Sequence, residues 1–215
     1  MPVRNKIVRM LFFLLLAVLL VQTASALLVG TSSHYDGYTT YSTVWNEKLM
    51  TGAIEFAVYD DRNEFEDVFS DIGLSAPGAG DFVYAYKIYN NSDSGDMVAY
   101  FAILGLDEQA SGITGFGALD DDTGGAEPSS AGFIGDDGVW QWSGTDGYRF
   151  IQLGDQSWLL VYSSDFDWVK GEYEIRGTEQ SDLPMPDGEV PEPTMVALLG
   201  AGGAFLFRRK RRANS

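Results

Sequence analysis

The chain has 215 residues, of which 45% are hydrophobic, with one His, no Cys, and 14 basic against 31 acidic residues for a net charge of −17. The absence of Cys excludes disulfides and thiolate chemistry, and with a single His it excludes a zinc site built on those ligands. The acidic excess opposes nucleic-acid phosphates and favours cations or basic partners.

Residues 1–26 open with Arg4, Lys6 and Arg9, continue through an apolar run from Met10 to Val21, and reach Ala24-Ser25-Ala26. A charged start, a short apolar stretch and small residues flanking a cut form a secretory signal pattern. The expected cleavage follows Ala26, with Ala24 and Ala26 as the small flanking residues, and implies the Sec translocon and signal peptidase as partners. Between Leu27 and Phe207 only six Lys and Arg stand against all 31 Asp and Glu, so this middle carries a net −25. A charge so far from zero suits a soluble exported surface.

Residues 27–178 read as an acidic β-rich domain. Tyr38 to Trp45 is aromatic and Thr-rich, the composition of a strand. In "GAIEFAVYD", Ile54, Phe56 and Val58 alternate with Glu55, Ala57 and Tyr59, which is the period of a strand. "RNEFEDVFSDIGL" is expected to form one short helix with Phe65, Val68, Phe69 and Ile72 on one side. Phe82, Tyr84, Tyr86 and Ile88 share a strand face, and Val98, Tyr100, Ala102 and Leu104 share the next. The turn-forming residues from Asn90 to Asp96 lie between, so the spacing predicts an antiparallel pair joined by a long loop. "GVWQWSG", "YRFIQL", "SWLLVYSS" and "GEYEIRG" add further short runs. Many short strands separated by turn signals predict an all-β fold, an antiparallel β-sandwich of Ig-like or jelly-roll type.

His34, in "TSSHYDGY", is expected in an exposed loop, since no G-x-S-x-G accompanies it. No catalytic residue is assigned, and the chain is read as a non-enzyme. A hydrolase would have to use a carboxylate pair, and 31 acidic residues single out none. Asp120, Asp121 and Asp122 stand in the acidic stretch "GALDDDTGGAEPSSAGFIGDDG", and Ca²⁺ is the ion that such oxygens would take. Their spacing is not that of an EF-hand, and a solvated loop is the ordinary fate of a charge run. Trp140 and Trp142 are two apart and share a face if "GVWQWSG" is a strand. They form either a platform for sugar rings or part of the core, and burial is the commoner state of such side chains.

Residues 179–189 hold Pro184 and Pro186 and no apolar run, and read as a Pro-rich spacer. Residues 190–212 combine Pro191-Glu192-Pro193, an uncharged run from Thr194 to Phe207, and the basic cluster Arg208, Arg209, Lys210, Arg211 and Arg212. As a helix the fourteen uncharged residues would span about 21 Å, short of the roughly 30 Å of hydrocarbon. Snorkelling arginines and local thinning narrow that gap. The basic cluster is a stop-transfer signal that stays in the cytoplasm.

In the order and spacing of these three parts the chain resembles the PEP-CTERM family of bacterial exported proteins. The resemblance implies that the tail is a sorting signal, with Pro191, Glu192 and Pro193 as its motif. It also implies exosortase, a membrane-embedded cysteine protease, as a partner. It further implies a transient stay in the inner membrane, then a place at the cell surface, in the outer envelope or outside the cell, often near exopolysaccharide. The expected role is structural or interactive, within the envelope or an exopolysaccharide matrix. A carbohydrate-binding module is the alternative, and a secreted glycoside hydrolase the remaining one.

Overall fold

Ile54, Phe56 and Val58 share a buried face, as their alternation requires, but Ala57 and Tyr59 on the opposite face are buried too. Their strand is therefore covered from both sides. The computed structural model describes residues 32–106, 111–144, 149–176 and 178–187. In chain order these form β1 (Tyr35–Trp45), β2 (Lys48–Tyr59), the helix α1 (Arg62–Val68), a 3₁₀ turn (Ser70–Ile72), β3 (Phe82–Asn90) and β4 (Tyr100–Ile103). There follow β5 (Thr114–Leu119), β6 (Ser130–Ile134), β7 (Asp137–Gln141), β8 (Leu159–Ser164), β9 (Trp168–Ile175) and β10 (Thr178–Pro186).

The strands make two five-stranded sheets, in the orders β1-β2-β3-β8-β5 and β10-β9-β4-β7-β6. Every strand pair in both sheets is antiparallel. One hydrophobic cluster draws from both sheets. Ile54, Phe56, Tyr84, Tyr86 and Tyr162 of the first meet Phe101, Ile103, Trp140, Tyr173 and Ile175 of the second. A second cluster lies on the other face of the first sheet, where Tyr59, Val83, Ala85 and Val161 pack against Phe65 and Phe69. The all-β expectation therefore holds, with one sheet buried on both faces.

The helix is shorter than its apolar pattern suggests. Asp61 caps it, accepting the Glu64 N–H at 2.8 Å, and the Glu64 carboxylate reaches back to the Asp60 N–H at 2.8 Å. This reciprocal arrangement is a variant of the capping box. Phe65 and Phe69 reach the core, whereas Val68 and Ile72 are partly exposed. After Val68 the chain tightens into the 3₁₀ turn and ends on Gly73 at φ 69, which breaks the 3.6-residue spacing.

Three sequence expectations need correction. First, β3 and β4 do not pair: β3 lies between β2 and β8, and β4 between β9 and β7. The Asn90–Asp96 segment instead crosses between the sheets. Asn90 Nδ2 holds it by donating to the Asp96 and Ile151 carbonyls at 3.0 and 3.1 Å. Second, Phe101 and Ile103, not Tyr100 and Ala102, face the core beside Val98. Val98 pairs in an isolated bridge with Ile151, so its alternation does not carry into β4, and the described residues of "YRFIQL" add no strand beyond that bridge. Third, most of the spacer is a strand. β10 pairs with β9 from Thr178 to Pro186, and Leu183 is fully buried. An edge strand tolerates Pro184 and Pro186, because an edge has backbone positions with no neighbour to receive an N–H. The folded domain thus runs past residue 178. The expected signal segment 1–26 lies outside the described residues.

Candidate functional site

Trp140 and Trp142 are 0% and 3% exposed. The Trp140 indole stacks on Phe116 with ring centroids 4.2 Å apart and donates its N–H to the Gly117 carbonyl at 2.7 Å. The Trp142 indole donates to the Ala126 carbonyl at 3.1 Å. Trp140 lies in β7 and Trp142 just past its end, and both belong to the cluster between the two sheets, so they form core and not a sugar platform.

The three aspartates diverge. Asp120 and Asp122 are exposed, and the Asp120 carboxylate accepts the Asp122 N–H at 3.1 Å. Asp121 is buried, and its carboxylate accepts from the Lys87 ammonium and from the Thr123 hydroxyl, the latter at 2.8 Å. Among the described residues no group of three or more His, Asp or Glu side chains is placed to hold a metal ion. Asp121 is engaged inward, away from its two neighbours.

His34 is not a free loop residue. Its Nε2 lies 2.6 Å from Asp167 Oδ1, and its ring centroid is 5.4 Å from that of Phe82. Partial burial acts to raise the Asp167 carboxyl, but the His34 contact and the Trp168 N–H outweigh it and hold the group below its ordinary range. The Asp167 carbonyl also accepts the Asp187 N–H at 2.7 Å. Residues near both ends of the described part of the chain therefore meet at Asp167.

The sequence gives no hint of the cleft that the strands build together. Trp45 at the end of β1, Ala99 just before β4 and Tyr100 at its start, and Glu174 near the end of β9 with Arg176 just past it line an open depression of about 300 Å³. Trp45 is 37% exposed. Arg176 Nη1 lies 3.7 Å from Asp96 Oδ2, while its Nε is buried without a hydrogen-bond partner. Burial, then the charges of Glu174 and Asp137, raise the Tyr100 hydroxyl. The surface of the depression is almost wholly apolar and includes two aromatic side chains, which suits the apolar face of a ring-shaped ligand. Nothing local marks these positions, since residues 45, 100 and 174 belong to three strands in two sheets.

The tail supplies the assignment that the domain does not. Residues 189–212 match the family model of the PEP-CTERM protein-sorting motif. The chain carries that motif. It covers Pro191, Glu192 and Pro193 and the basic cluster Arg208 to Arg212, and these residues lie outside those the structure describes. No curated protein and no solved structure matches the chain. A PEP-CTERM motif marks an exported protein that exosortase processes from a transient membrane-anchored state. Among the described residues no helix is long and apolar enough to cross a membrane. The expected membrane segment, Thr194 to Phe207, falls within the motif and outside the described residues.

Proposed function

We propose that this chain is a cell-surface or extracellular-matrix protein whose β-sandwich domain works by display and interaction, not by catalysis. The observation that carries the reading is the PEP-CTERM motif behind an acidic β-domain. Signal peptidase and the Sec translocon act first, exosortase second, and the released domain resides in the envelope or among exopolysaccharide. Replacing Pro191 and Glu192 with Ala tests the sorting role. In cells that carry exosortase, the variant is expected to stay unprocessed in the membrane fraction, while the parent chain loses its tail. Unchanged processing and location of the variant, read by fractionation and mass spectrometry of the mature termini, would overturn the reading.

A second reading, a carbohydrate-binding module, is favoured by the cleft. Trp45 and Tyr100 line it with aromatic surface of the kind that packs against a pyranose, and Glu174 and Arg176 stand at its border. The acidic surface favours a neutral sugar over a uronate. Cellotetraose titrated into the full-length chain in a sugar-free detergent should quench tryptophan fluorescence, and Trp45→Ala should weaken binding tenfold or more, about 1.4 kcal/mol. Equal affinity of the two proteins would remove the cleft from this role.

A further inference from the structure

The outward face of the first sheet is apolar at one end, where α1 covers it, and holds a buried polar cluster at the other. Lys87 of β3 is 0% exposed, and its ammonium is in direct contact with the carboxylate of Asp121, whose side chain is 2% exposed. Thr123 Oγ1 lies 2.6 Å from Lys87 Nζ and donates to Asp121 Oδ1 at 2.8 Å, which fixes the carboxyl against the amine. Glu55 of β2 stands directly opposite Lys87 in the β2–β3 register, so the two side chains leave the same face of the sheet. Glu55 is buried as well and accepts the Tyr89 hydroxyl at 2.8 Å. Burial, and the proximity of both Glu55 and Asp121, push that hydroxyl well above its ordinary range. A buried amine with a carboxyl touching it thus shares one covered face of the sheet with a second buried carboxyl on the neighbouring strand.

We propose that Lys87 and Asp121 are joined in the mature fold by an intramolecular amide bond, with Glu55 as the proton shuttle. A buried ion pair is costly to hold, and moving one proton from Nζ to the carboxylate gives the neutral amine and the neutral acid. Those are the reacting forms. The Nζ lone pair attacks Asp121 Cγ, and the Nζ–Cγ bond forms. Glu55 takes one proton from Nζ and delivers it to the leaving hydroxyl. The Cγ–O bond breaks, and one water departs. Nothing is oxidised or reduced, and no further reactant enters. Proximity supplies the driving geometry, because the fold holds nucleophile and carbonyl in contact. Lys87 and Asp121 are 34 positions apart, so the bond would close a long loop and tie β3 to the segment after β5. In a chain without Cys it would do what a disulfide does elsewhere, independently of how the tail is sorted.

Mass spectrometry of the full-length chain, denatured, decides the matter. The expected mass is lower than the sequence mass by one water, about 18 Da, as for any such condensation. Lys87 is the only basic residue between Arg62 and Arg149, and trypsin does not cut after an amidated lysine. Residues 63–149 should therefore emerge as one piece, with fragmentation placing the branch between Lys87 and Asp121. The variants Glu55→Gln and Lys87→Arg should regain the full mass, and Glu55→Gln should be cut after Lys87. A parent chain of full mass that is cut after Lys87 overturns the proposal, whatever the variants do. A loss of water with cleavage still occurring after Lys87 also overturns it, since that is dehydration at a lone aspartate. An intact bond in Glu55→Gln would overturn the shuttle role of Glu55.

Discussion

Asn46 and Glu47 join β1 to β2, and both adopt positive φ, 49 and 65. Two such residues form the tight turn whose twist matches a hairpin, and the geometry favours Asn followed by Gly. Asn46 fits. Glu47 does not, because a Cβ in the left-handed region crowds the next carbonyl. Glu47→Gly is expected to stabilise the fold by about 1 kcal/mol, read as a higher urea midpoint at unchanged slope. The same turn sets Trp45 at its edge, next to the cleft. The contrast between tryptophans is also settled at this scale. That Trp140 and Trp142 share a face was legible from their spacing. Which way the face turns was not, because it depends on the strands across the core.

At the scale of elements, α1 ties the domain's first described residues to the body. Glu64 accepts N–H groups from Ser33 and from Asp60. Partial burial acts to raise its carboxyl, but the bonds from Ser33 and Asp60 prevail and hold it below its ordinary 4.5. The folded state therefore binds this proton less readily than the unfolded one. Its contribution is complete above pH 4.5 and is lost as pH falls through the lower folded value. Urea midpoints should drop across that window, and Glu64→Gln should flatten the drop without removing it, because Asp167 shifts in the same direction. The legibility of the elements followed the same logic of environment. β2, β3 and β8 announced themselves through dense apolar and aromatic residues, since they are interior strands. β5, β6 and β10 are edge strands, rich in Gly, Ser or Pro, and an edge needs only one good neighbour. The β3–β4 hairpin failed because loop length alone cannot tell a return within one sheet from a passage to the other.

For the molecule as a whole, the span from Leu27 to Phe207 carries six basic and 31 acidic residues. Self-repulsion of this kind opposes the compact state and is screened by salt. Raising ionic strength from about 0.01 to 0.15 M, which shortens the Debye length from about 30 to 8 Å, should raise Tm. A melting temperature that does not respond would mean that the ion pairs inside the fold already offset the surface. Of the described ion pairs, Lys87–Asp121 lies within the fold, whereas Arg149–Asp155, Arg62–Glu66 and Lys170–Asp182 reach the surface and offset only a small part of its acidic excess.

The pairing of β10 with β9 also sets a distance. Folded structure reaches Asp187, which bonds the Asp167 carbonyl, and the Pro-Glu-Pro begins at Pro191. Four steps of extended chain cover at most about 14 Å. Whatever cuts near Pro191 must therefore work almost against the wall of the domain. If exosortase cuts there, how closely it can approach the domain would bear on the cut as well as the sequence it reads.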